Sequence, residues 1–312
     1  MKIYKRYEAL SPIYQGGLTN HLPMILTALK KLGMSEEDIV KKLDQYREQK
    51  TLLDLTETTT PISEFEQAYI NRSSYYLGEI NRKGEYVIIG EFINKHKMNL
   101  GSALFHGFIR LAHAKEEQND LLIAQALAYF ELTSEDVEFN SKYIDEVNFL
   151  KNFHLLEESL KANGFSFKSA NTMSKFKELL NSDLVSNKLY KLRYPNREFI
   201  LDFVMKNYMK TNCFYNLHLI TGFEALLELE EYIFDFEEVL NQFFLYAQVF
   251  VLFTLEKSPV TTLEEKPIEN LKELINELKD AHDIKLFYSL IKLDKLFEND
   301  VIKTIANRIF TK

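Results

Sequence analysis

Thr19-Asn20-His21-Leu22-Pro23-Met24-Ile25-Leu26-Thr27-Ala28-Leu29-Lys30-Lys31-Leu32-Gly33 reads as one amphipathic helix with both ends marked. Thr19 or Asn20 caps a helix that begins near His21, and Pro23 falls in its first turn, where a missing N–H costs nothing. Leu22, Ile25, Leu26, Leu29 and Leu32 recur at helical spacing, and Gly33 closes the run. Ser35-Glu36-Glu37-Asp38 then opens a second helix, a serine cap followed by acidic residues at the positive end of the dipole.

The same grammar repeats along the chain. Residues 1–17 read as an irregular lead-in, and Thr56–Ile62 as a polar linker containing Pro61. Helices are expected at about 63–77, 84–96, 98–117, 119–131, 141–163, 173–193, 197–211, 213–232, 235–257, 268–279, 281–293 and 297–310. A loop is expected over 134–140 and a linker between Pro259 and Pro267. Only Tyr86-Val87-Ile88-Ile89 has strand character, and it is outvoted by its surroundings. Ten glycines and six prolines in 312 residues suit long helices better than strands and turns. The expectation is an all-α protein, a single large helical domain of roughly a dozen helices over residues 1–312.

A net charge of −8 disfavours a sequence-independent nucleic-acid binder and docking on an anionic membrane. The basic stretch Lys188, Lys191, Arg193 and Arg197 reads as a solvated face. Cys213 is the sole cysteine, so no intrachain disulfide forms, and a buried structural thiol is the expectation. The N-terminus has no signal-peptide core, and the longest apolar stretch, Phe243–Leu255, is too short to span a bilayer. A cytoplasmic protein follows. The Lys-, Ile- and Asn-rich composition suggests an AT-rich bacterial genome. No GxGxxG, GxxxxGK[ST], HExxH, GxSxG or CxxC occurs, which argues against nucleotide, zincin, hydrolase-elbow and dithiol chemistry.

Seven histidines remain to be explained. A lone histidine is more often a core or surface residue than a ligand, and His96, between Lys95 and Lys97, reads as exposed; His154 could be either. His21, the pair His106 and His113, His218, and His282 sit instead among apolar or small residues. His106 and His113 share one helix side about 10.5 Å apart along the axis. Burying so many ionisable groups is costly unless they are paired, hydrogen-bonded or bound to metal, and imidazole suits zinc, iron, copper or nickel.

The same residues carry a family likeness. Asn20-His21-Leu22-Pro23-Met24 with Ala28–Gly33, then Phe105–Ala114, Leu217–Gly222 and Ala281–Lys285, in that order, resemble the conserved blocks of the questin oxidase-like family. The resemblance implies an all-helical oxygenase that opens a ring of an aromatic, polyketide-like small molecule with O2, by oxygen insertion or carbon–carbon cleavage. It implies non-haem Fe(II), with zinc as the alternative, held by His21, His106, His113 and His218 with a carboxylated Lys285. His282 competes with Lys285, as ligand or as its supporting partner, and Arg110 is the candidate anchor for an anionic or phenolate substrate or else part of an ion pair. Whether NADPH serves as external reductant, and the oligomeric state, are not read from the residues. Two other classes stay open: a zinc hydrolase with Glu224 as base, and an inert helical interaction module whose acidic cluster Glu224, Glu228, Glu230, Glu231, Asp235, Glu237 and Glu238 meets a basic partner.

Overall fold

Capping side chains set most of the helix starts. In the computed structural model, which describes residues 2–257 and 275–310, Ser35, Ser63, Asn119, Asp145, Asn171, Asn196, Asp235, Asp280 and Asn299 each accept a backbone N–H from the first turn that follows. Ser63 and Glu66 complete a reciprocal capping box. The helices are α1 (Lys2–Lys5), α2 (Leu22–Lys31), α3 (Glu36–Lys50), α4 (Glu64–Lys83), α5 (Glu85–His96), α6 (His106–Glu116) and α7 (Asp120–Thr133). They continue with α8 (Glu146–Ala162), α9 (Thr172–Leu180), α10 (Arg197–Thr211), α11 (Phe214–Glu228), α12 (Phe236–Leu252), α13 (Ala281–Phe297) and α14 (Asp300–Ile309). The protein is mostly helical, as the sequence predicts. The helix expected over 268–279 falls largely outside the described residues. No helix among the described residues is long and apolar enough to cross a membrane.

Strand appears in two places where none is expected. The lead-in carries α1 and a hairpin, β1 (Ile13–Tyr14) against β2 (Leu18–Thr19), turned by Gly16 and Gly17 at positive φ. Segments read as the start of one helix and the end of another are β3 (Ser141–Ile144) and β4 (Leu189–Leu192), paired in parallel. The reason lies in α12. Buried Gln248 accepts from the Tyr190 N–H and donates to its carbonyl, and buried Asn241 does the same for Leu192. Two helix amides thus stand in for a neighbouring strand on the outer edge of β4, a tertiary contact that overrides local pattern.

The stretch expected as one helix over 98–117 is broken. Two 3-10 turns, Lys97–Asn99 and Ser102–Phe105, precede α6, and Ala103, Leu104 and Phe105 all have positive φ. Each such residue costs about 1 kcal/mol or more, so the surroundings must hold the turn in place. Phe105 does so by packing its ring among Phe243, Tyr246 and Phe250 at centroid distances of 5.2, 5.7 and 5.7 Å. A Cβ on Gly222 of α11 would stand 2.9 Å from that ring, so the glycine keeps the space open. The consequence is positional: the turn delivers His106 as the first residue of α6.

Four helices surround the interior of interest. α2 packs on α6, α6 on α11, α11 on α13, and α13 back on α2. Their first turns meet at one end, with His21, His106, His218 and His282 gathered there. Their last turns meet at the other, where Lys31 faces Glu116, and Lys292 bonds Glu116 and Glu228. The four therefore run parallel.

Close approach of α6 to α7 depends on Gly107. A Cβ there would lie 2.8 Å from the Phe130 Cα. Alanine in a helix is ordinarily worth up to ~1 kcal/mol over glycine. At Gly107 the backbone clash reverses the sign, and Gly107→Ala is expected to lose ~1–3 kcal/mol. Gly78→Ala, exposed on α4 with no atom within 4 Å, is expected to gain. Urea unfolding of the two variants checks the pair.

Candidate metal centre

Each histidine of the group is placed by a helix start. His21 is the N-cap of α2, held by the hairpin before it: the Asn20 N–H donates to the Pro12 carbonyl and its side-chain amide to Ser11 O. His106 opens α6, His218 lies in the second turn of α11, and His282 follows the cap Asp280 in α13. One nitrogen from each lies within 4.8 Å of all the others.

Their tautomers follow from their partners. His106 Nδ1 is 2.6 Å from the Ala103 carbonyl, and His218 Nδ1 is 2.8 Å from the Phe214 carbonyl. A carbonyl oxygen can only accept, so both Nδ1 atoms carry the proton and both Nε2 atoms are bare lone pairs. His282 Nδ1 reaches the Asp280 carboxylate at 3.2 Å, which leaves its buried Nε2 bare and unpartnered. His21 Nδ1 lies 3.4 Å from the Tyr46 hydroxyl.

The Nε2 atoms of His21 and His218 stand 2.8 and 3.0 Å from His106 Nε2. The bare nitrogens of His106 and His218 cannot hydrogen-bond to one another. Two ligands each about 2.1 Å from one ion and at a right angle to it are about 3.0 Å apart, so the spacing is that of neighbouring donors on a shared cation. The donor set and the orphaned Nε2 of His282 fit a metal ion.

Electrostatics agree. Burial, with the nearby Lys285 charge, drives His21, His106 and His218 well below the usual histidine range. Burial lowers His282 against the opposing pull of Asp280. Neutral imidazole is the metal-binding form. Lys285, one turn beyond His282, is fully buried; its Nζ meets no hydrogen-bond partner, and burial brings its pKa down to about 7.

The implied and observed sets differ at one position. His21, His106 and His218 come together as the resemblance implies, but His282 joins them and His113 does not. His113 is buried two turns down α6, its ring 5.5 Å from that of Tyr288, with burial lowering its pKa to about 3. The i, i+7 spacing that puts both on one helix side also sets them too far apart to share an ion with the other three. Arg110 is buried with no ion pair among the described residues. Its guanidinium lies over the Tyr129 and Tyr69 rings, 5.3 and 5.8 Å from their centroids, and donates to the Tyr69 hydroxyl. Tyr129 bonds Thr19, which in turn contacts His106 Nδ1 at 3.3 Å, so Arg110 reaches the centre only through its contact with the Tyr129 ring.

Sequence reasoning missed Tyr46, which accepts the His21 N–H at 3.1 Å. No local pattern marks a tyrosine in the next helix. The expectation that the chain has no His-Asp dipeptide, the hallmark of helical metal phosphohydrolases, is wrong, since His282-Asp283 is one. Here Asp283 is outside the ligand group, and Asp280 supports His282 instead.

The acidic run on α11 and after it is internally paired. Glu228 and Glu231 bond Lys115, Glu238 bonds Lys191, and Glu230 pairs with Arg197. Glu224 is buried on the α13 side, accepting from Ser289 at 3.3 Å and lying 2.5 Å from Lys292. No protein-family model matches the chain, and neither does any curated protein.

Burial raises Glu224 from 4.5 to about 7, against the opposing pull of Lys292. Its folded pKa lies above the unfolded one, so this contribution to stability is complete below about pH 4.5 and is lost as pH rises through about 7. Glu224→Gln should therefore gain on wild type between about pH 5 and pH 8, by at most ~3 kcal/mol. Urea unfolding across that range measures the difference; a constant offset would contradict it.

Proposed function

We propose that this centre holds a single non-haem iron ion and that the protein is an oxidoreductase acting on an aromatic, quinone-like small molecule with O2. One observation supports the metal reading above the rest: two imidazole nitrogens with lone pairs only, fixed by backbone carbonyls, face each other at 3.0 Å inside the protein. His21, His106, His218 and His282 would hold the ion. Iron held there by neutral imidazoles would supply electrons for chemistry with O2.

Lys285 supports this reading. A buried amine near pKa 7 is partly neutral at physiological pH and able to take up carbon dioxide, giving an anionic oxygen donor. The helix starts around it favour negative charge. Phe214 packs edge-on against His218 and His282, with ring centroids 4.4 and 5.0 Å away, and is itself half exposed. It shields the two imidazoles on that side.

Hydrolysis is less well supported. A hydrolytic zinc centre keeps three protein ligands and needs a base beside the metal-bound water. Here four histidines converge. Glu224, the candidate base, is about 9 Å further along α11 than His218 and is engaged by Lys292.

Elemental analysis of untagged protein is expected to find about one iron per chain. His218→Ala and His282→Ala should lose it, whereas His113→Ala should keep it. Stoichiometric zinc that resists replacement by iron would move the assignment to a hydrolase. Metal retained in His282→Ala and lost in His113→Ala would favour the ligand set that the family resemblance implies.

A further inference from the structure

An opening beside the centre is lined by residues that neighbour His21 and His282. It is a cavity of about 410 Å³, within the ~300–1,000 Å³ range of small-molecule sites. Ile25, Tyr46 and Ile284, all buried, are its apolar lining, and each neighbours the ligand set along the chain or through a hydrogen bond. Ile25 sits one turn after His21 and donates its N–H to the His21 carbonyl. Tyr46 accepts the His21 N–H, and Ile284 lies between His282 and Lys285 in sequence.

The rim carries the opposite chemistry. Among the described residues, Lys41, Lys42 and Lys279 line it with one carboxylate, Asp38, an excess of two positive charges on a chain of net charge −8. None of the three lysines has an ion pair among the described residues. Lysines elsewhere commonly do, as at Lys30, Lys83, Lys115, Lys191 and Lys292. Lys42 is anchored, its Nζ donating to the carbonyls of Asn276 at 3.0 Å and Leu278 at 2.8 Å. Lys41 and Lys279 are exposed and make no such bond. Like charges gathered on a concave surface attract anions and raise their local concentration.

We infer that this cavity is a binding site for a small organic anion with a flat apolar body, a phenolate or aryl carboxylate, laid on Ile25, Tyr46 and Ile284 with its charge among Lys41, Lys42 and Lys279. Its role as the substrate port of the centre rests on the metal reading; the binding itself does not. Tyr46 joins the two, lining the cavity and accepting with its hydroxyl from the backbone N–H of a ligand histidine.

The chain has no tryptophan, so a fluorescent probe is read without that background. Titration with 3-hydroxy-2-naphthoate should show saturable binding at least tenfold tighter than with its neutral amide, 3-hydroxy-2-naphthamide. Added salt should weaken binding of the acid and leave the amide unchanged. The double variant Lys41→Glu/Lys279→Glu, which removes neither a hydrogen bond nor a core contact, should lose at least tenfold for the acid alone. Equal binding of acid and amide, indifference to the charge reversal, or no saturable binding would each overturn the site. Metal content is measured on the same samples. Binding without metal upholds the anion site and removes the port; metal without binding overturns the site and leaves the centre standing.

Discussion

Four imidazoles meet at the starts of four parallel helices, and much of the surrounding structure can be read as the means of holding them there. Each helix directs the positive end of its dipole at the same small volume, which opposes protonation of the histidines and favours their neutral form. Burial acts in the same direction. The backbone carbonyls of Ala103 and Phe214 then fix which nitrogen faces inward. Dipole, desolvation and hydrogen bonding agree, so the centre presents lone pairs rather than N–H groups. Strain at Ala103, Leu104 and Phe105 is part of the same arrangement, since a regular helix through that stretch would not begin at His106.

Parallel helices bring a second requirement at their far ends, where four sets of terminal carbonyls gather. Lys31, Lys115 and Lys292 are placed among Glu116, Glu224 and Glu228 there. The lysines complement the negative dipole ends, and Lys292, bridging three carboxylates, ties α6, α11 and α13 together. Between the two ends the interior stays polar, with Lys285 and Ser289 buried one turn apart on α13 and Ser289 bonded to buried Glu224 of α11. Buried polar groups of this kind add little to net stability, but they restrict the ways in which the helices can pack.

The helical class was legible because caps and apolar stripes are local features, and Thr19–Gly33 shows both. The strand pair β3 and β4 was not, because the hydrogen bonds that make Leu189–Leu192 extended come from Asn241 and Gln248, about fifty residues later. Three of the four histidines in the group stood out through apolar neighbours and family-like blocks. His282 was seen but given a lesser place than His113, since sequence spacing shows which side of a helix a residue occupies and not how far along the axis the partners lie. Arg110 was expected either to hold an anion or to join an ion pair; its environment of two tyrosine rings is a tertiary feature with no counterpart in the neighbouring residues.

The four histidines come from positions 21, 106, 218 and 282, so an ion bound by all four would close three long loops and join the first helices of the chain to the last. In this respect it would act as a crosslink does, removing conformational freedom from the unfolded chain more than adding contacts to the folded one. The unfolded chain holds no such site, so metal affinity and folding free energy would be two measures of one quantity. Full coordination would then require α13 to be packed against α2, since His282, the least buried of the four, completes the set.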